Sequence, residues 1–216
     1  MAEKINMPQP TWLRVLSNIV SYVFHPVFMP LGMALVLHLL SPVSFTGVPP
    51  KQLTMWFLSI GLTTLFFPLF TIILLKGLNF IESIHLRTAR ERIIPLIATM
   101  IYYFWVTHVF NNVPNVPLIL RVLMLGNFWG VIALFMINIF TKISLHTTAA
   151  GGMIGIMIVL MMISPVNLVL PFFGAIIIAG MVGTARSVLG AHYPGDIWLG
   201  YIIGILVQLG AYWYLK

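Results

Sequence analysis

LVLPFFGAIIIAGMVGTARSVL, residues 168 to 189, runs for eighteen positions without a charge and meets its first at Arg186. At 1.5 Å of rise per residue, a helix of that length covers about 30 Å, the thickness of the hydrocarbon layer of a bilayer. Comparable apolar runs recur near 18–41, 53–76, 94–110, 119–141, 147–163 and 197–215. Together they predict an all-α, polytopic transmembrane helix bundle of seven spans, or six if the first segment is re-entrant. Composition points the same way. The chain is 60% hydrophobic and 7% charged, with a mean hydropathy of +1.04, well beyond what filling one soluble core requires. With almost nothing left over for a soluble unit, residues 1–216 read as a single membrane domain.

Eleven basic residues stand against Glu3, Glu82, Glu91 and Asp196, for a net charge of +7. With no long basic arm, this balance points to no nucleic acid and suits a membrane surface or an anionic headgroup. Cysteine is absent, which excludes disulfides and thiolate metal sites. Lys4 and Arg14 precede an apolar stretch that contains Pro26 and Pro30 and lacks a small-residue cleavage site. That stretch is expected to be a retained first span and not a signal peptide.

Most connections are short and carry turn chemistry, as in NNVPNVP and ISPVN. Three are different because they concentrate charge: ESIHLRTARERIIP at 82–95, TKISLH at 141–146 and RSVLGAHYPGD at 186–196. Two spans separate each from the next, so all three are expected on one membrane face. Gly151 and Gly155, and likewise Gly200 and Gly204, lie four apart, a spacing that lets helix backbones approach closely.

The 186–196 stretch holds an arginine, a histidine and the only aspartate of the chain. Arg186 could snorkel to the interface, and Asp196 could cap the last helix behind Pro194 and Gly195. His192 asks for more. The break at Tyr193 to Gly195 folds the chain back, so the Asp196 carboxylate could reach one ring nitrogen and leave the other free. A carboxylate that holds an imidazole in one tautomer makes it a nucleophile or a base. Ser144 and His146 precede a helix expected to start near Thr147, whose free N–H groups favour an anion. Arg87, Arg90, Arg92, Lys142 and Arg186 all lie in the three clusters, and their convergence would clamp phosphate oxygens. As alternatives, Arg87 could pair with Glu91 on a short interfacial helix, and Lys142 could be an ordinary end-of-span lysine.

The stretch resembles the third motif of the type 2 phosphatidic acid phosphatase superfamily: an arginine, five residues, a histidine, three residues and an aspartate. Arg186, His192 and Asp196 match all three positions, and the superfamily also has this motif between its last two spans. Its second motif, Pro-Ser-Gly-His, corresponds to Ile143, Ser144, Leu145 and His146, where the serine and histidine match and the proline and glycine do not. Its first motif, a lysine, six residues and Arg-Pro, puts Arg87 at the lysine position and Ile94 at the arginine, with Arg90 or Arg92 available to take over that duty. The resemblance covers residues 85–214 and leaves the first two spans, 18–76, outside it.

This resemblance implies a hydrolase acting on lipid phosphates or diphosphates without metal or other cofactor, on a phospholipid or polyprenyl phosphate held in the bilayer. It further implies that His192 attacks phosphorus to form a phosphohistidine, oriented by Asp196. His146 would protonate the leaving group and later activate water, while Arg87, Arg186 and Lys142, with Ser144 and Arg90 or Arg92, hold the phosphate. It also implies an extracytoplasmic site in the cell (inner) membrane. Independently, one aspartate and three glutamates are too few for the paired carboxylate clusters with which magnesium enzymes grip diphosphates. A phosphotransferase of the same superfamily and a transporter with a buried proton relay are the competing expectations. His25, His38 and His108 read as structural or interfacial, His85 lies beside the first cluster, and Arg121 is expected at the opposite face.

Overall fold

The computed structural model describes residues 9–84 and 88–216. Among these residues it is an all-α bundle: α1 (Thr11–Val23), α2 (Met29–Leu40), α3 (Pro50–Gly77), α4 (Arg90–Asn112), α5 (Leu118–Asn138), α6 (Leu145–Ile163), α7 (Val169–Val188) and α8 (Pro194–Leu215). Helices α3 to α8 are each long and apolar enough to cross a membrane, and the loops between them make these six successively antiparallel. Large side chains such as Phe140, Leu170 and Tyr214 face outward, 87%, 82% and 72% exposed, an arrangement that only lipid would solvate without cost. The chain is a multi-pass integral membrane protein.

The first apolar run is the correction. Instead of one span over 18–41, it forms two short helices with a break at Phe24–Phe28. Pro26 cannot donate to the helix ladder and drives His25 out of helical geometry. At about 18 Å, α2 is too short to span the membrane alone, yet the segment still runs the length of α6. His25 packs against His146 at the start of α6, and the Ser41 hydroxyl bonds that of Ser164 just past its end, at 3.2 Å. In α1 the small polar residues Ser17 and Ser21 turn inward, while Trp12, Leu16, Ile19 and Val23 are exposed. It packs on α7.

Helix α3 carries a π-helical turn at Leu62–Phe66. Pro68 lacks the N–H that the Thr64 carbonyl would otherwise accept, so the ladder slips by one residue there. The Thr64 hydroxyl bonds back to the Ile60 carbonyl at 2.8 Å.

The tightest packing joins α6 to α8 through both glycine pairs. A Cβ at Gly151 would strike the Tyr201 backbone, and one at Gly155 would come within 2.9 Å of Gln208 Cβ. A Cβ at Gly200 would meet the Thr147 hydroxyl, and one at Gly204 would meet the Thr148 carbonyl and lie 2.5 Å from the Gly152 nitrogen. Because the obstacles around Gly204 are all backbone, Gly204→Ala is expected to destabilise the protein by about 1–3 kcal/mol, read as a lowered Tm in detergent. Gly180→Ala, with no atom within 4 Å of its Cβ, is the control and is expected to leave Tm unchanged or slightly raised.

Candidate functional site

The three charged connections meet at one end of the bundle. Arg92, at the head of α4, donates from Nη1 to the Ile143 carbonyl at 3.2 Å, and Asn138 donates to the Ala89 carbonyl at 2.8 Å. Across the next junction, the Lys142 carbonyl accepts from His192 Nδ1 at 3.0 Å, and the Thr141 hydroxyl bonds the Asp196 carboxylate at 3.2 Å. The α5–α6 loop therefore offers consecutive carbonyls that hold Arg92 and His192.

Local sequence explains how Arg186 and His192 come together. Helix α7 is closed just past its end by Gly190, whose φ of +59° only glycine adopts without strain, and the Ala191 N–H returns to the Arg186 carbonyl at 3.1 Å. The chain then reverses, and Pro194 opens α8. His192 is 8% exposed. Burial, and next the charge of Arg186, push its imidazole down to about 4, against the opposing hydrogen bond to Lys142. Arg92 and Lys142 act in the same downward direction. Since a carbonyl only accepts, Nδ1 carries the hydrogen and the lone pair resides on Nε2. At neutral pH this is an uncharged imidazole with a nucleophilic nitrogen.

Asp196 does not set that tautomer. Its second carboxylate oxygen accepts from the Tyr193 N–H at 3.3 Å, the reach-back of an N3 acid to the N-cap. The helix-capping alternative holds, and the Lys142 carbonyl does the orienting expected of Asp196.

Arg186 donates from Nη1 to the Ser21 hydroxyl at 3.3 Å, and the Ser21 carbonyl accepts from His146 Nε2 at 3.1 Å. One serine of α1 thus ties two of the expected site residues to the N-terminal segment. Nδ1 of Arg186's neighbour His146 is left with the lone pair. The His25 and His146 rings lie edge to face, with centroids 5.2 Å apart. Arg92 and Arg186 repel each other, and Arg186, His25 and His192 all act electrostatically on His146. The Glu91 carboxylate accepts from the backbone N–H groups of Glu82 at 3.0 Å and Thr88 at 3.1 Å.

Beneath these groups lies a cavity of about 530 Å³, within the range that encloses small-molecule ligands. Arg92, His146, Arg186, Ser21 and His25 line one part of it, and apolar side chains such as Met33, Leu123 and Met153 line much of the rest. His192 and Lys142 adjoin this cluster without forming part of the wall.

Several expectations change here. Arg90 is exposed and Arg92 is 7% exposed, so Arg92 is the arginine that joins the cluster. Ser144 is fully buried as the N-cap of α6, its hydroxyl accepting from the Thr147 N–H at 3.4 Å, and it does not line the cavity. Lys142 contributes its carbonyl to His192 and its charge to the same group. Arg87 and His85 lie outside the described residues. Ser21, read as part of a plain apolar span, and His25, read as structural or interfacial, both line the cavity. The available signal was a stripe of Ser17, Ser21 and His25, each four residues from the next, which puts them on one helical face.

No protein-family model, curated protein or solved structure matches the chain.

Proposed function

We propose that the protein is a membrane lipid phosphatase that works through a phosphohistidine. The observation that carries this reading is the meeting of Arg92, Arg186, His146 and a neutral, oriented His192 at the polar end of an apolar cavity. A buried guanidinium, that of Arg92, and a half-buried one, that of Arg186, repel each other and form a site for an anion. The Nε atom of Arg186 is buried with no hydrogen-bond partner in the structure, a further donor for such a ligand. An apolar tail would occupy the cavity while the phosphate sits between the arginines.

In this mechanism the Nδ1 lone pair of His146 first takes the proton of the singly protonated phosphate; His192 Nε2 then forms a bond to phosphorus as the bond to the lipid oxygen breaks, and the departing oxygen takes that proton from His146 Nδ1. Arg92 and Arg186 neutralise the phosphoryl oxygens as charge shifts. Water then attacks the phosphohistidine, giving its proton to His146, which passes it to the departing phosphate as His192 is freed. On the superfamily resemblance, the site belongs to the extracytoplasmic face of the cell membrane.

The test is phosphate release from a panel of lipid phosphates and diphosphates by purified protein in detergent with chelator. Release without added metal is expected, and a strict need for magnesium would sink the proposal. The acid limb of kcat/KM is expected near pH 4 and not near the 6.5 of an ordinary histidine, because protonation removes the nucleophile as pH falls. Stability follows the same sign. The unfolded chain takes up a proton below pH 6.5 that folded His192 refuses until about 4, so stability falls as pH drops through that window.

A further inference from the structure

Two amides in the cavity wall have no part in the phosphate chemistry. Gln208 of α8 is 1% exposed, and its Nε2 donates to Asn127 Oδ1 of α5 at 3.2 Å. Both side chains line the cavity. Asn127 Nδ2 and Gln208 Oε1 are buried and have no hydrogen-bond partner in the structure. Exchanging oxygen and nitrogen in both amides would preserve this result, since the pair would still offer one open donor and one open acceptor. Gly126 makes room for the Gln208 amide, which a Cβ there would strike, and Gly152 lies beside its nitrogen. An open donor and acceptor set together in an apolar wall are costly unless a ligand uses both.

Depth identifies the kind of ligand. Gly152, level with the amide, lies six residues beyond His146 on α6, about 9 Å along the helix. A group six bonds from phosphorus reaches roughly 7 Å. In a lipid phosphate that distance is where the headgroup backbone joins its chains. A group there that both gives and takes a hydrogen bond is an amide or a hydroxyl. A diacyl ester can only accept, and a polyprenyl chain does neither.

We propose that Asn127 and Gln208 form a second subsite that selects lipids with an amide- or hydroxyl-bearing backbone. The phosphate-bearing form of such a lipid as substrate rests on the phosphatase reading, whereas the subsite does not. The deciding experiment therefore uses neutral probes: a ceramide and a diacylglycerol with the same acyl chain, each with its terminal primary hydroxyl methylated so that the diacyl probe can only accept, titrated in detergent against the intact protein. Ceramide is expected to bind roughly 10- to 100-fold more tightly, and Gln208→Met and Asn127→Leu are each expected to erase most of that preference. Equal binding of the two probes to the wild type overturns the subsite and needs no variant to fold. Retention of the full preference in a folded Gln208→Met protein also overturns it. Ceramide preference without phosphate release from any lipid phosphate would instead uphold the subsite and remove the phosphatase reading. When phosphate is released, kcat/KM for ceramide phosphate over phosphatidate should fall toward one in Gln208→Met.

Discussion

His192→Ala is expected to lower phosphate release from a lipid phosphate by at least about a thousandfold at saturating substrate. No second group could replace it. His146 has its Nε2 held by the Ser21 carbonyl, and in the proposed mechanism its other nitrogen is committed to moving protons. The variant should fold, because the lost hydrogen bond leaves only the Lys142 carbonyl, beside an exposed Thr141, to be satisfied by water. Substrate binding should persist, since the arginines remain. A fall in kcat with little change in KM separates loss of the nucleophile from loss of the binding site. Asp196→Asn should cost far less than a nucleophile or orienting acid would, because its carboxylate bonds Thr141 and the Tyr193 backbone.

Arg186→Ala carries the second large effect, expected at about 10²- to 10³-fold in kcat/KM. Arg186 neighbours Arg92, His146 and His192 and also bonds Ser21. Its loss removes a phosphate donor and slackens the tie between α1 and α7. Arg186→Lys is expected to restore the charge with little of the rate, because an ammonium cannot serve Ser21 and two phosphate oxygens from one planar fork. Ser21→Ala separates the two contributions. It breaks the tie, keeps the guanidinium, and should cost about tenfold or less, with an unchanged gel-filtration profile reporting that the bundle is intact.

The spans are legible in the sequence because crossing hydrocarbon imposes a length and a composition that few other structures require. The same holds for the shared face of the three charged connections, which follows from counting antiparallel crossings and reappears as the Arg92–Ile143 and His192–Lys142 bonds. The first run is different. Hydropathy sees 18–41 as continuous, while Pro26 acts through a missing N–H and a steric clash that hydropathy does not weigh. The break matters, since it turns His25 toward His146.

Within the site, residue types were readable and their partners were not. Asp196 lies four positions from His192 around a turn, so contact between them looked natural. An acid at N3 of a helix has a nearer partner in the N-cap N–H, and it takes that one. The group that orients His192 is a backbone carbonyl, which every residue possesses and no motif marks. Ser144 illustrates the same competition, its hydroxyl drawn into capping α6. The Asn127–Gln208 pair is hidden for a third reason: its members are 81 positions apart in two unremarkable apolar helices and meet only once α5 and α8 pack.

The most direct measurement is covalent. Purified protein would be mixed with a lipid phosphate carrying radioactive phosphorus, with chelator present, quenched in alkali within the first turnovers, and mapped by proteolysis. An acid-labile, alkali-stable label on His192 is expected, absent from His192→Ala and prolonged in His146→Ala. Rapid phosphate release with no label on His192, or with His192→Ala as active as the wild type, would contradict it.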